Sequence, residues 1–184
     1  MNSDLQWLYF VVEGGAVQRF HTRPGLTPYT DAAHSHGVAL LCHRLTGGAA
    51  SANLLMAALT HDLGEQYAGD MSAPAKRALH MRERLKRAED AQLAKYGLAF
   101  SLTEEEARVL NLADQLEGML WCCRERFLGN TYVELVYNKW YRWSLQAGFT
   151  ELERPVWEAV TILWGLASAG CAPSFDVFEE EVEQ

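Results

Sequence analysis

No stretch of this sequence alternates apolar and polar residues as a half-buried strand must; what recurs is helical spacing cut by glycine. His34, Val38, Leu41 and Leu45 follow i, i+4, i+7, i+11 spacing, which gives one face to a helix that Asp31 is placed to cap. Gly47 and Gly48 stop it, and Ser51 is placed to cap a second helix through Leu54, Leu55, Ala58 and His61. Thr103 with Glu106, and Thr150 with Glu153, are capping boxes that open two further helices, the first running to Gly129 and the second to about Ala169. Between these, Ser72 and Pro74 predict the start of one long charged helix ending at Gly97, and Thr131 to Gln146 predicts another. Gln6 to Val12 reads best as a first helix. Arg19 to Thr30 holds Pro24, Gly25 and Pro28 and reads as a long ordered loop. The expected fold class is all-α.

The 184 residues suit a single domain over 1-184, with a motif-bearing core over about 19-121, C-terminal helices over about 131-170 and an acidic tail over 175-184. Hydrophobic residues make up 49% of the chain and charged residues 22%, which is ordinary globular usage and excludes a disordered or collagen-like chain. A net charge of -8 argues against coating a nucleic-acid polymer, although a local basic pocket can still take a small anion. No apolar run is long enough to span a membrane, and the N-terminus lacks the basic region of a signal peptide. A cytoplasmic protein is expected. Cys42, Cys122, Cys123 and Cys171 are too few and too irregular for a disulfide framework, so buried free thiols are the plainer reading.

Four residues set the chain apart from a generic bundle: His34, the adjacent pair His61 and Asp62, and Asp114. Each falls on or beside an apolar helix face, so packing would turn them inward. Two imidazoles and two carboxylates suit a divalent transition metal held between helices. Burying the carboxylates unpaired would cost roughly several kcal/mol, which a cation would offset. Singly, each has a plainer reading, as a core histidine or a solvated helix residue, and spacing does not bring them together.

Ala33-His34-Ser35, then Thr60-His61-Asp62-Leu63-Gly64-Glu65 with Gly69-Asp70, then Ala113-Asp114, resemble the ordered H…HD…D signature of HD-domain metal-dependent phosphohydrolases. The likeness extends to the small deoxynucleotide-cleaving branch, the bacterial 5′-deoxynucleotidases and phage dATP triphosphohydrolases. Arg19-Phe20 stands fifteen residues before His34 as in that branch, and Gly69-Asp70-Met71-Ser72-Ala73-Pro74-Ala75-Lys76 matches its Gly-Asp-x-x-x-Pro-x-Lys pattern. Ala33 departs from the Glu usual there in the 5′-deoxynucleotidases. The resemblance implies a single-domain HD-type helical bundle with metal ligands His34, His61, Asp62 and Asp114. It implies that Glu65 holds or activates water, Arg19 and Lys76 bind phosphate, and Asp70 lies near the 5′ oxygen. The implied metal is Co, Mn, Zn or Fe, with Mg accompanying a triphosphate. The chemistry suits these residue types: Glu65, three residues after Asp62 on a continuing helix, would face the same site, and Arg19 offers a planar fork to phosphate.

Lys76 to Lys95 gathers seven basic residues (Lys76, Arg77, Arg82, Arg84, Lys86, Arg87 and Lys95) in an acidic chain, partly offset by Glu83, Glu89 and Asp90. A solvated salt-laced helix is the plainer reading; the alternative is that its first turn holds a polyphosphate. The expected function is hydrolysis of dATP to deoxyadenosine and triphosphate, with a 5′-deoxynucleotidase acting on dNMPs as the alternative. A catalytically inactive nucleotide-binding regulatory domain and a purely structural bundle are the competing classes. Phe20 is a candidate for stacking on the base or walling off the sugar 2′ position, and the adenine preference comes from the resemblance. Tyr137, Trp140, Tyr141, Trp143, Trp157 and Trp164 crowd the C-terminal helices; with the family habit of assembly they lead to an expected homo-oligomer, dimer or hexamer.

Overall fold

A computed structural model of the chain describes residues 3–171. They form α1 (Ser3–Gly15), α2 (Asp31–Leu45), α3 (Ala52–Thr60), a 3-10 helix (Leu63–Tyr67), α4 (Ala73–Ala78), α5 (Arg82–Lys95), α6 (Glu104–Phe127), a short 3-10 turn (Thr131–Val133), α7 (Glu134–Ala147) and α8 (Glu153–Ser168). The architecture is all-α, as the patterning requires. The acidic tail lies outside the described residues.

The long α6 is the axis, with α2, α3, α7 and α8 packed against it. Its inward stripe of Val109, Leu112, Leu116 and Met119 meets Val38 and Leu45 of α2 and Leu54 of α3 in the main core. A smaller cluster of Phe10, Leu63, Leu93 and Leu98 ties α1 and α5 to the 3-10 helix. Most C-terminal aromatics are spent internally. Tyr137 stacks on Trp164 at 3.8 Å, and the Trp157 indole donates to Ser144 Oγ at 2.8 Å. Trp143 remains 41% exposed.

Three local expectations change. The cap of α2 is Thr30, whose side chain accepts from Ala33 N–H; Asp31 is the first helical residue and its carboxylate turns into the protein. The charged helix expected from Ser72 to Gly97 is broken at Leu79–Met81, where His80 takes a left-handed φ of 52°. The segment after His61 is a 3-10 helix, not a continuation of α3. Both capping boxes form: Thr103 and Glu106 exchange bonds fully, and Thr150 and Glu153 do the same just before α8.

The loop between α1 and α2 is closed at its base by Arg19 N–H to the Tyr29 carbonyl at 2.8 Å and Asp31 N–H to the Val17 carbonyl at 3.0 Å. Glu125 of α6 secures the loop from below. It accepts from Leu26 N–H at 2.7 Å, Thr27 N–H at 3.0 Å and the Thr27 hydroxyl at 2.5 Å.

Candidate metal centre

His34 sits one turn into α2, His61 caps the C-terminus of α3 and Asp114 lies midway along α6. One ligand-type atom from each lies within 4.8 Å of the other two. His34 is completely buried, and its Nε2 lies 3.0 Å from Asp114 Oδ1.

Both imidazoles are held in one orientation by what binds their other nitrogen. His61 Nδ1 lies 2.9 Å from the Ala58 carbonyl, an acceptor that makes Nδ1 the protonated nitrogen. His34 Nδ1 bonds Glu117 Oε2, the same oxygen that accepts the Tyr29 hydroxyl. A carboxylate behind a histidine in this way fixes the tautomer and leaves the Nε2 lone pair for a metal. Nε2 of His34 and Nε2 of His61 are both buried with no hydrogen-bond partner among the described residues. Two orphaned nitrogens facing a carboxylate are a fit for a divalent cation.

Asp62 borders this cluster. Its Oδ2 lies 3.2 Å from His61 Nε2 and 3.6 Å from His34 Nε2, and it also receives Arg19 Nη1. Arg19 Nη1 is shared with Asp31 Oδ1 at 3.0 Å, while Arg19 Nε is buried without a hydrogen-bond partner among the described residues. Burial disfavours charge on Asp62, yet His61 and Arg19 hold its carboxyl well below the usual range. Burial likewise opposes charge on His61, but Asp62 outweighs it and raises the imidazole to about 9. The surroundings draw positive charge to this spot, as a metal site must.

Glu65 follows Asp62 by three residues on the 3-10 helix, where i and i+3 eclipse, so the shared face expected of a continuing helix is kept by a different helix type. Its Oε1 accepts from Lys76 Nζ at 3.1 Å, and its Oε2 is buried with no hydrogen-bond partner among the described residues. Burial and the neighbouring Asp62 push the Glu65 carboxyl up to about 8, against the pull of Lys76. Lys76 is thus engaged with Glu65, with Glu89 at 4.0 Å. Gly64 permits this packing: a Cβ there would meet Glu89 Cα at 2.8 Å.

Asp70 Oδ2 accepts the Phe20 N–H at 2.9 Å and so supports a residue with a φ of 52°, rare for a side chain of this bulk. The Phe20 ring stacks on Trp121 at 4.8 Å and meets Trp140 edge-on at 5.5 Å. Arg19, Phe20, Asp62, Glu65, Asp70, Lys76 and Asp114 all line one cavity of about 510 Å³.

The sequence reading missed Glu117, Tyr29 and Gly37. Glu117 lies three residues after Asp114 on α6 and was readable from that spacing; Tyr29 gave no signal. Gly37 is where α2 admits the carboxylate, since a Cβ there would lie 2.6 Å from Glu117 Cγ.

No protein-family model matches this sequence, and neither does any curated protein. Solved structures do. An HD-domain phosphohydrolase from Listeria innocua superposes with a TM-score of 0.66 at 20% identity, covering 91% of each chain. The HD phosphohydrolase of cyanophage S-2L, bound to dA and one catalytic Zn2+ ion, gives a TM-score of 0.58 at 20% identity, covering 85% of this chain and 93% of that one. The helices of this chain therefore take the fold of the HD-domain phosphohydrolases.

Proposed function

We propose that the chain is a metal-dependent phosphohydrolase that cleaves the bond between the 5′ oxygen and the first phosphorus of a 2′-deoxynucleotide. Within that class we infer a dATP triphosphohydrolase, releasing deoxyadenosine and triphosphate. The observation that carries the reading is the pair of buried imidazole Nε2 atoms, without hydrogen-bond partners among the described residues, that lie beside the carboxylates of Asp62 and Asp114, in the wall of the cavity that Glu65 and Arg19 also line. The neighbour holding dA and Zn2+ in the same fold supports a deoxynucleoside and a divalent ion.

His34, His61 and Asp114 would hold the ion, with Asp62 as a fourth donor; Mn, Co, Fe and Zn all suit that set. When bound, the ion supplies charge neutralisation at the phosphoryl oxygens and a more acidic water. Glu65 uses its Oε2 to orient that water and take its proton. Lys76 keeps Glu65 in place from the other side. Arg19, braced between Asp31 and Asp62, presents its remaining donors to phosphate oxygens. Asp70 stands toward the 5′ oxygen and fixes Phe20, whose ring closes the sugar and base side. The reading includes a cytoplasmic homo-oligomer, dimer or hexamer, and a monomer in light scattering at micromolar concentration removes that part.

One observation favours the 5′-deoxynucleotidase reading: Lys76, expected on phosphate, is spent on Glu65. Product analysis with Mn2+ or Co2+ separates the two. Deoxyadenosine and triphosphate from dATP, with dAMP slow, are expected; orthophosphate from dAMP with dATP untouched selects the nucleotidase. No turnover of either rejects both in favour of a binding module.

A further inference from the structure

The cavity of the metal centre is also lined by Arg23 of the α1–α2 loop, Arg77 of α4, Arg82 of α5 and Lys139 of α7. These four cations come from four separate elements. The three arginines are exposed, so they belong to the solvent side of the cavity, whereas Lys139 is half-buried. Other basic residues nearby are committed: Lys76 to Glu65, and Lys86 to Asp90 at 2.7 Å. Arg23, Arg77 and Arg82 pair with no carboxylate among the described residues, in a chain with 24 acidic residues. Lys139 lies 4.2 Å from the Trp143 ring centre, which steadies the ammonium without satisfying its N–H groups.

The break at Leu79–Met81 makes the convergence feasible. On an uninterrupted helix, residues five apart point about 140° away from one another. With the chain turned at His80, both Arg77 and Arg82 line the cavity. Gathering them beside Lys139 carries an electrostatic cost, since burial, followed by Arg77, Arg23 and Arg82, lowers the ammonium pKa. The carboxylates of the cavity, Asp62, Glu65, Asp70, Glu89 and Asp114, make no ion pair with these four among the described residues, so the gathered like charges call for a multiply charged anion. A single phosphate beside the metal centre is already met by Arg19, so four further cations match additional phosphates.

We propose that Arg23, Arg77, Arg82 and Lys139 seat the phosphates beyond the one attacked, so that the cavity takes a polyphosphate chain in preference to a monophosphate. This rests on the phosphohydrolase reading above for which phosphate is attacked, but the seat itself is testable without turnover. Titration calorimetry with inorganic tripolyphosphate and with orthophosphate, on the full chain without added metal, reads it directly. The wild type is expected to bind tripolyphosphate more tightly than orthophosphate. Arg82→Gln weakens tripolyphosphate about tenfold and Arg77→Gln with Lys139→Gln about a hundredfold, roughly one charge-assisted bond per cation. Lys95→Gln, the same change of net charge on an exposed residue outside the cavity, leaves binding unaltered.

Equal tripolyphosphate affinity in the wild type and in folded Arg82→Gln overturns the inference, as does wild-type protein that prefers orthophosphate. If deoxynucleotides are hydrolysed while tripolyphosphate ignores these cations, the seat falls and the phosphohydrolase stands. If tripolyphosphate binding follows the cations in a protein inert toward dATP and dAMP, the seat stands and the phosphohydrolase falls. Weakened binding of dATP with unchanged binding of dAMP in Arg82→Gln further supports a nucleotide-borne chain over free polyphosphate.

Discussion

Substituting Glu117 by Gln should weaken metal binding while leaving the fold in place. The Glu117 carboxylate accepts both from His34 Nδ1 and from the Tyr29 hydroxyl on one oxygen. Gln keeps an acceptor oxygen and nearly the same volume, so the α2–α6 contact survives and what is lost is the charge behind the imidazole. A hydrogen bond to a charged group exceeds a neutral one by about 1 to 1.5 kcal/mol, which corresponds to a roughly five- to tenfold weaker metal complex. Partners of this kind behind metal-binding histidines commonly count for about ten- to a hundredfold, so the estimate sits at the mild end. Competition for Zn2+ or Mn2+ against a chelating dye reads the affinity, and circular dichroism reports the fold. Gly37→Ala reaches the same carboxylate from the opposite side, because its Cβ would lie 2.6 Å from Glu117 Cγ and force it to shift. It should weaken the metal in the same direction. Folded Glu117→Gln protein with wild-type affinity for every ion tried would refute the reasoning, because His34 would then need no orientation from behind.

Glu125 is fully buried and, despite burial, its bonds to Thr27, Asn130 and Leu26 hold its carboxyl below the usual range. Its contribution to stability is therefore complete above the unfolded value near about 4.3 and is lost as pH falls through the lower folded value. Glu125→Gln should cost about 1–3 kcal/mol at pH 7 and flatten the acid limb of a denaturation-midpoint curve; an unchanged limb contradicts this. Gly64→Ala should lower stability by about 1–3 kcal/mol, since its Cβ would meet the Glu89 backbone at 2.8–2.9 Å, and an unaltered thermal midpoint counts against that packing. Phe20→Ala should change the relative rates on dATP, dGTP and dCTP, and a uniform change across the three excludes a selective role for the ring.

The all-α class was legible because helix punctuation is local chemistry: Ser51 and Thr103 cap where their hydroxyls predict, and Thr150 and Glu153 exchange bonds at the start of α8, although its N-cap is Leu152. The break at His80 was not legible. Nothing in Arg77 to Arg84 is a helix stop, and the chain turns there because Met81 N–H closes back on the Lys76 carbonyl at 3.0 Å. Asp31 shows the same limit. Its identity makes it a good cap, but Arg19, twelve residues earlier, draws its carboxylate inward and Thr30 takes over the cap. At the centre, His34, His61 and Asp114 could be singled out by order and spacing. Of the groups behind the imidazoles, the Ala58 carbonyl is local to α3 and Glu117 follows Asp114 by one helical step, but Tyr29 is brought in only by the tertiary arrangement.

The α1–α2 loop connects these observations. Arg19, Phe20 and Tyr29 reach, respectively, Asp62, the aromatic wall at Trp121 and the carboxylate behind His34. Asp70 holds Phe20, Glu125 holds Leu26 and Thr27, and Asp31 holds Arg19. A loop of this length tied at so many points is part of the site's framework, not a flexible cover. One consequence is coupling. Loosening the loop at Glu125, three turns beyond Asp114 on α6, moves the Tyr29 hydroxyl that steadies Glu117 as well as the ring that faces the substrate. Metal affinity and base preference should therefore change together in Glu125→Gln, and in Tyr29→Phe the metal affinity should change with base preference intact.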